Sequence, residues 1–317
     1  LACLSLMDQS DLAEYSIRRA IRNEDLNPAF HRSLGKVLQA KRKHKEAIDS
    51  YRKAIEIDPK STDLWNDMGT AYLAISRIDV AADCFKHVLR IDKSNIFAYN
   101  NLGLVQRQNG DLDASLDSFS RVLDLDPSSV EAHNNVGLLL QEKGEIASAI
   151  GHFRSAVRLQ PDHEVSWVHL VESLRFANIE SPDPQLTEDL LACFARNNVN
   201  TQRLAVSAIS LLKRDTEFKS ALRSVISPVD SPHLSEALLK AISHPILIAL
   251  LWNTIIPDLE FEDFLTKLRH AFLSAALRGD LPKGCDDLIF ALAANCFTNE
   301  YIFQVTEKET RSLQKIV

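Results

Sequence analysis

Residues 65–93 read WNDMGTAYLAISRIDVAADCFKHVLRIDK, and the spacing within this stretch decides the fold. Gly69 has counterparts 34 residues apart at Gly35, Gly103 and Gly137. Trp65, four residues ahead of its glycine, belongs with His31, Tyr99, His133 and Trp167. The column of Tyr72 continues as Leu38, Gln106 and Leu140. Ala81 repeats as Ala47, Ser115 and Ala149, and Phe85 as Tyr51, Phe119 and Phe153. The period closes on Pro59, Lys93, Pro127 and Pro161. A fixed period of this length predicts stacked two-helix units, because one such unit cannot bury its apolar face alone. Small residues mark where the paired helices approach closely, and aromatic columns fill the gap between neighbours. Proline comes after the second helix because it cannot continue one. Gly110 and Gly144 fall in the turn between paired helices, where Arg42 and Ser76 stand in other units.

These columns resemble the tetratricopeptide repeat (TPR), whose pattern is W-x2-L-G-x2-Y, then A-x3-F, then P. WNDMGTAY (65–72) with AADCF (81–85) matches it closely. Four full repeats fit at 28–61, 62–95, 96–129 and 130–163, with a partial repeat over 1–27 and a terminal first helix at 164–176. The expected fold is therefore all-α, a TPR solenoid over 1–176 and then a second, irregular helical domain. A linker is expected at 177–185, where NIESPDPQ (178–185) carries two prolines. Further helical patterns lie near 186–196, 201–213, 215–226, 233–243, 246–256 and 259–277, with a break at SPVDSP (227–232). A last helix runs through DLIFALAANCFTNEYIF, on which Phe290, Phe297 and Tyr301 form one expected buried stripe. PILIALLWNTII (245–256) is expected to be a buried helix, too short to span a bilayer. The chain begins inside a first helix without methionine, and Thr306 and Glu309 open a capping-box helix close to its end. Residues 186–317 therefore read as truncated, within a longer protein cut at both ends.

Composition excludes several classes. The 317 residues carry a net charge of −7, against a protein that tracks a nucleic-acid backbone. KRKHK (41–45) is the dense basic run, and its place in an interhelix turn makes it a solvated cluster. Five scattered cysteines with no C-x-x-C spacing fit reduced thiols in the cytoplasm. HEVSWVH (163–169) lacks the second histidine of H-E-x-x-H, because Trp167 holds that place as a member of the aromatic column. No metal, no cofactor and no catalytic residue is expected in this chain, which has no glycine-rich strand–helix turn to hold a nucleotide.

The TPR resemblance implies that first-helix residues between the aromatic column and the glycine face a concave groove. One column reads Arg32, Asn66, Asn100, Asn134 and Val168; the next reads Ser33, Asp67, Asn101, Asn135 and His169. An asparagine amide both donates and accepts, so a ladder of them can hold the backbone of an extended peptide of any sequence. The TPRs of the O-linked N-acetylglucosamine transferase carry such a ladder. The expected peptide-binding residues are Asn66, Asp67, Asn100, Asn101, Arg107, Asn134, Asn135 and His169. The inward columns offer mainly Arg32, Lys36 and Arg107 as cations, too few to resemble the clamp of chaperone-binding TPRs.

In the second half, HPILIALL (244–251), LEFEDFLTKLRHAFL (259–273) and CFTNEYIF (296–303) resemble the helical region of bacterial proteins in which TPRs lead into a class I S-adenosylmethionine-dependent methyltransferase. Such a catalytic domain would lie beyond Val317. The expected function is a protein- or peptide-binding module that recruits a substrate or partner. Asn299 and Glu300 could touch a substrate or a following domain, though an apolar stripe explains that helix more simply. The alternatives are the TPR region of an O-linked N-acetylglucosamine-type glycosyltransferase and a non-enzymatic assembly scaffold.

Overall fold

The computed structural model describes residues 2–177, 184–196, 198–226 and 234–298. All regular structure among them is helical, and the chain divides into two compact units, 1–143 and 144–317.

The first unit holds α1 (Ala2–Asn23), then pairs with one length rule. The first helices α2 (Pro28–Ala40), α4 (Thr62–Ala74), α6 (Ile96–Gln108) and α8 (Val130–Glu142) each have 13 residues. Their partners α3 (His44–Ile57), α5 (Ile78–Ile91) and α7 (Leu112–Leu125) have 14. Local chemistry sets the starts. Asn27, Asn95 and Ser129 each accept from a first-turn amide, those of Ala29, Ala98 and Ala132, which satisfies a donor the helix leaves orphaned. Each second helix stops at an aspartate, Asp58, Asp92 or Asp126, just before the closing column.

The glycine column is a contact requirement. A Cβ on Gly69 would lie 2.6 Å from Phe85 Cε1, and one on Gly103 would lie 2.8 Å from Phe119 Cε2. Both rings are fully buried and cannot retreat. Ser115 stands in the alanine column without strain, because its hydroxyl donates to the Gly103 carbonyl at 2.7 Å. The turns between paired helices need a left-handed residue. Gly110 supplies it at φ 80°, whereas Arg42 and Ser76 are forced to φ 59° and 58°. An L side chain costs about 1–2 kcal/mol in that region. Ser76→Gly is expected to stabilise the protein by about 0.5–1 kcal/mol, read as a higher urea midpoint. A lower midpoint would show that the Ser76 side chain contributes more than the strain it causes.

The second unit begins inside the fourth repeat. It contains α9 (Ile146–Leu159), α10 (Glu164–Arg175), α11 (Pro184–Phe194), α12 (Ala205–Arg214), α13 (Thr216–Ile226), α14 (Glu236–Ile242), α15 (Pro245–Asn253), α16 (Leu259–Arg278) and α17 (Asp286–Thr298). The expected linker at 177–185 lies mostly outside the described residues, and the compact units divide at Lys143–Gly144. The reason is that α9 and α10 are tied to the irregular helices. Arg154 on α9 clasps Asp189 on α11 at 2.9 Å, Ser207 on α12 donates to the Leu174 carbonyl at 2.8 Å, and the Arg196 guanidinium lies 4.5 Å from the centre of the Trp167 ring. Phe218, Phe261 and Phe264, all fully buried, form the aromatic centre between α13 and α16.

Two expectations for this unit are corrected. The apolar run from Pro245 is helical only to Asn253. Thr254 is extended, its hydroxyl bonds back to the Leu250 carbonyl at 2.8 Å, and Pro257 disfavours helix at Ile256. Trp252, in the last turn of the helix, is 52% exposed. Phe290 is no part of a buried stripe, being 64% exposed. The face that α17 buries is Leu288, Ala291, Leu292 and Asn295, and Asn295 donates to the carbonyls of Leu251 and Thr254 at the end of α15. Phe290 lies on the opposite side. The side chain of Phe297, and Asn299, Glu300, Tyr301, Thr306 and Glu309 with the segments 178–183 and 227–233, lie outside the described residues.

Candidate peptide-binding face

The first helices α2, α4 and α6 touch in succession, and Arg107 on α6 donates to Glu142 on α8 at 3.0 Å. Their outward columns therefore form one face of the first unit. At the α2 end this face is closed by charge. Arg32 donates to Asp63 and to Asp67 at 2.6 Å each, and Lys36 stands 3.6 Å from Asp67. Burial works against the Arg32 charge, but the two carboxylates outweigh it and raise its pKa above the ordinary value. Asp67 is thus already occupied, and so is Arg107.

The asparagines separate into two kinds. Asn66 turns toward the next repeat and donates to Oδ1 of Asn95, the cap of α6, at 3.3 Å. Its own Oδ1 is buried, as is that of Asn100. Asn134 is 6% exposed. These three amides turn their oxygens into the packing. Asn101 and Asn135, one column on and one repeat apart, are half-buried, and neither pairs with another described residue. His169 belongs to the second unit, where its ring stacks on Phe153 with centroids 5.4 Å apart.

The aromatic column does more than fill space. Trp65 donates its ring N–H to the Pro59 carbonyl at 3.0 Å, and Trp167 donates to Pro161 at 2.8 Å. His31 and His133 meet the carbonyls of Asp25 and Pro127 through Nε2 at 2.8 and 3.2 Å. In each case the acceptor lies six residues upstream, in the turn that enters the repeat. The clue in the sequence is that four of the five residues in this column, all but Tyr99, carry a ring N–H.

The remaining candidate chemistry is absorbed by structure. Lys41 of the basic run is held by Asp11 and Glu14, and Lys43 lies 3.9 Å from Glu46. Burial, aided by Asp83 and Asp189 respectively, pushes the thiols of Cys84 and Cys193 up to about 12, far from a reactive thiolate. Among the described residues no acidic, histidine or cysteine cluster could hold a metal ion, and no helix is long and apolar enough to cross a membrane.

Tetratricopeptide-repeat family profiles match residues 35–76, 66–128 and 100–164. Residues 35–164 are tetratricopeptide repeats. In solved structures the TPR architecture recurs in PilF of Pseudomonas aeruginosa, with TM-score 0.50 and 18% identity over 66% of this chain and 85% of that one. MamA from Desulfovibrio magneticus RS-1 aligns with TM-score 0.46 and 20% identity over 51% of this chain and 92% of its own. YrrB, described as a TPR protein with an unusual peptide-binding site, aligns with TM-score 0.46 and 18% identity over 67% and 99%. At 18% identity the likeness to PilF is one of fold. No curated protein matches the chain closely enough to count as a relative.

The sequence reading missed Phe97, Leu104 and Glu131 on the TPR face. Phe97 and Leu104 are 74% and 45% exposed. They stand four residues before and three after Asn101, on its side of α6. That spacing is visible in the sequence once Asn101 is taken as the centre of the face.

Proposed function

We propose that this chain is a protein-interaction module whose first-helix TPR face holds an extended peptide segment through its backbone. The observation that carries the reading is the pair Asn101 and Asn135, each half-buried and neither paired with another described residue. Amides at one repeat's separation can accept from and donate to a peptide backbone without reading its side chains. Asn66 is engaged with the cap of the next first helix, Arg32 fixes Asp67 and Arg107 holds Glu142, so within the first unit the backbone-holding role falls to Asn101 and Asn135.

Peptide-array binding by the wild-type chain and by Asn101→Ala/Asn135→Ala tests this. Loss of hydrogen bonds of about 0.5–1.5 kcal/mol each predicts binding weaker by roughly tenfold or more in the double variant. The variant's thermal midpoint should stay close to that of the wild type, because neither amide supports the fold. Unchanged peptide binding removes the ladder.

We infer further that the module serves a catalytic partner on a longer polypeptide, of the class I methyltransferase kind, and works in the cytoplasm without a cofactor of its own. The resemblance of the α15 and α16 phrases and the thiol usage support this reading. A strand–glycine-turn–helix pattern encoded soon after Val317 is the expected result; two nucleotide-sugar-type halves there would favour the glycosyltransferase instead.

A further inference from the structure

The TPR face is not chemically uniform, and its departures from uniformity cluster around Asn101. On α6 the core is Ala98, Leu102, Gly103 and Val105, so Phe97 and Leu104 belong to no packed layer. They flank Asn101 on the outward side. One repeat further on, the column of Phe97 carries Glu131 on α8. The charges of these four first helices are otherwise matched. Arg32 and Lys36 serve Asp63 and Asp67, and Arg107 serves Glu142. Glu131 is exposed and makes no ion pair among the described residues. The face therefore offers an apolar island, two unclaimed amides and one uncompensated carboxylate in neighbouring repeats.

We propose that this face selects an extended segment placing a leucine- or phenylalanine-sized side chain between Phe97 and Leu104, and a lysine or arginine against Glu131. The proposal rests on the backbone-holding role of Asn101 and Asn135. Neighbouring helices lie about 10 Å apart and an extended chain advances about 3.3 Å per residue, so the two side chains stand about three residues apart. Charge complementarity commits the partner. The cations of the face are already neutralised, so an acidic tail finds no partner here, while a basic residue finds Glu131.

The test is a selection of randomised twelve-residue peptides against the full chain, then titration of a selected peptide by fluorescence anisotropy. Enrichment of an aliphatic or aromatic residue about three positions from lysine or arginine is expected. Glu131→Lys should weaken such a peptide about five- to tenfold, and a peptide with the basic residue changed to glutamate should recover it. Phe97→Ala should weaken it about tenfold. Enrichment of acidic peptides, or indifference to Glu131→Lys, overturns the proposal. If binding then still falls in Asn101→Ala/Asn135→Ala, the backbone-holding role survives without the selectivity; if it does not fall, both fail. A chain that binds no peptide but forms dimers dissociated by Phe97→Asp overturns the proposal in favour of a second copy as the occupant.

Discussion

Phe218→Ala should cost about 3–5 kcal/mol, the largest single-residue effect expected in the second unit. The ring is fully buried and meets Phe261 and Phe264 at centroid distances of 5.8 and 5.6 Å. Truncation removes both its transfer free energy and the aromatic contacts, and leaves a cavity that two rigid rings cannot close. Phe218→Leu, which keeps much of the volume, should cost far less. Urea unfolding with amide exchange resolved to α13 and α16 measures both. A loss below about 1 kcal/mol for the alanine variant would mean that the three rings are not packed as described.

Arg154→Ala is expected to rank next, at about 2–4 kcal/mol. Asp189 is 7% exposed at its side chain, and Arg154 donates to both of its carboxylate oxygens. Removing the arginine strands a buried carboxylate, which costs more than the pair itself contributes. The double variant Arg154→Met/Asp189→Leu should therefore be more stable than Arg154→Ala alone. If the single variant proves no worse than the double, Asp189 finds solvent or another partner and is not held by this clasp.

The clasp also marks where sequence reading reached its limit. The TPR period was legible because each repeat solves one packing problem with the same residues: Gly69 against Phe85, Gly103 against Phe119. The helices of the second half were legible too, since proline and capping residues bound them locally. Pairing across helices carries no period. Nothing in the spacing of Arg154 and Asp189, or of Ser207 and Leu174, announces that the fourth repeat's second helix belongs with α11 and the helix after it, α10, with α12. Phe290 shows the same limit, because an apolar stripe reveals a face but not whether a neighbour covers it. On the candidate face, the asparagine columns were visible, but the capture of Asp67 by Arg32 and the inward turn of Asn66 were not. Both depend on side-chain reach between repeats.

The ring N–H contacts at the repeat entrances limit what can stand in their column. A carbonyl oxygen only accepts, so His31 and His133 must donate to it through Nε2, as Trp65 and Trp167 donate through the indole N–H. A phenylalanine at any of these four positions would fill the same gap between helices and leave the carbonyl of the entering turn without its donor. The column is thus a latch as well as a filler, fastening each of these repeats to the turn that leads into it.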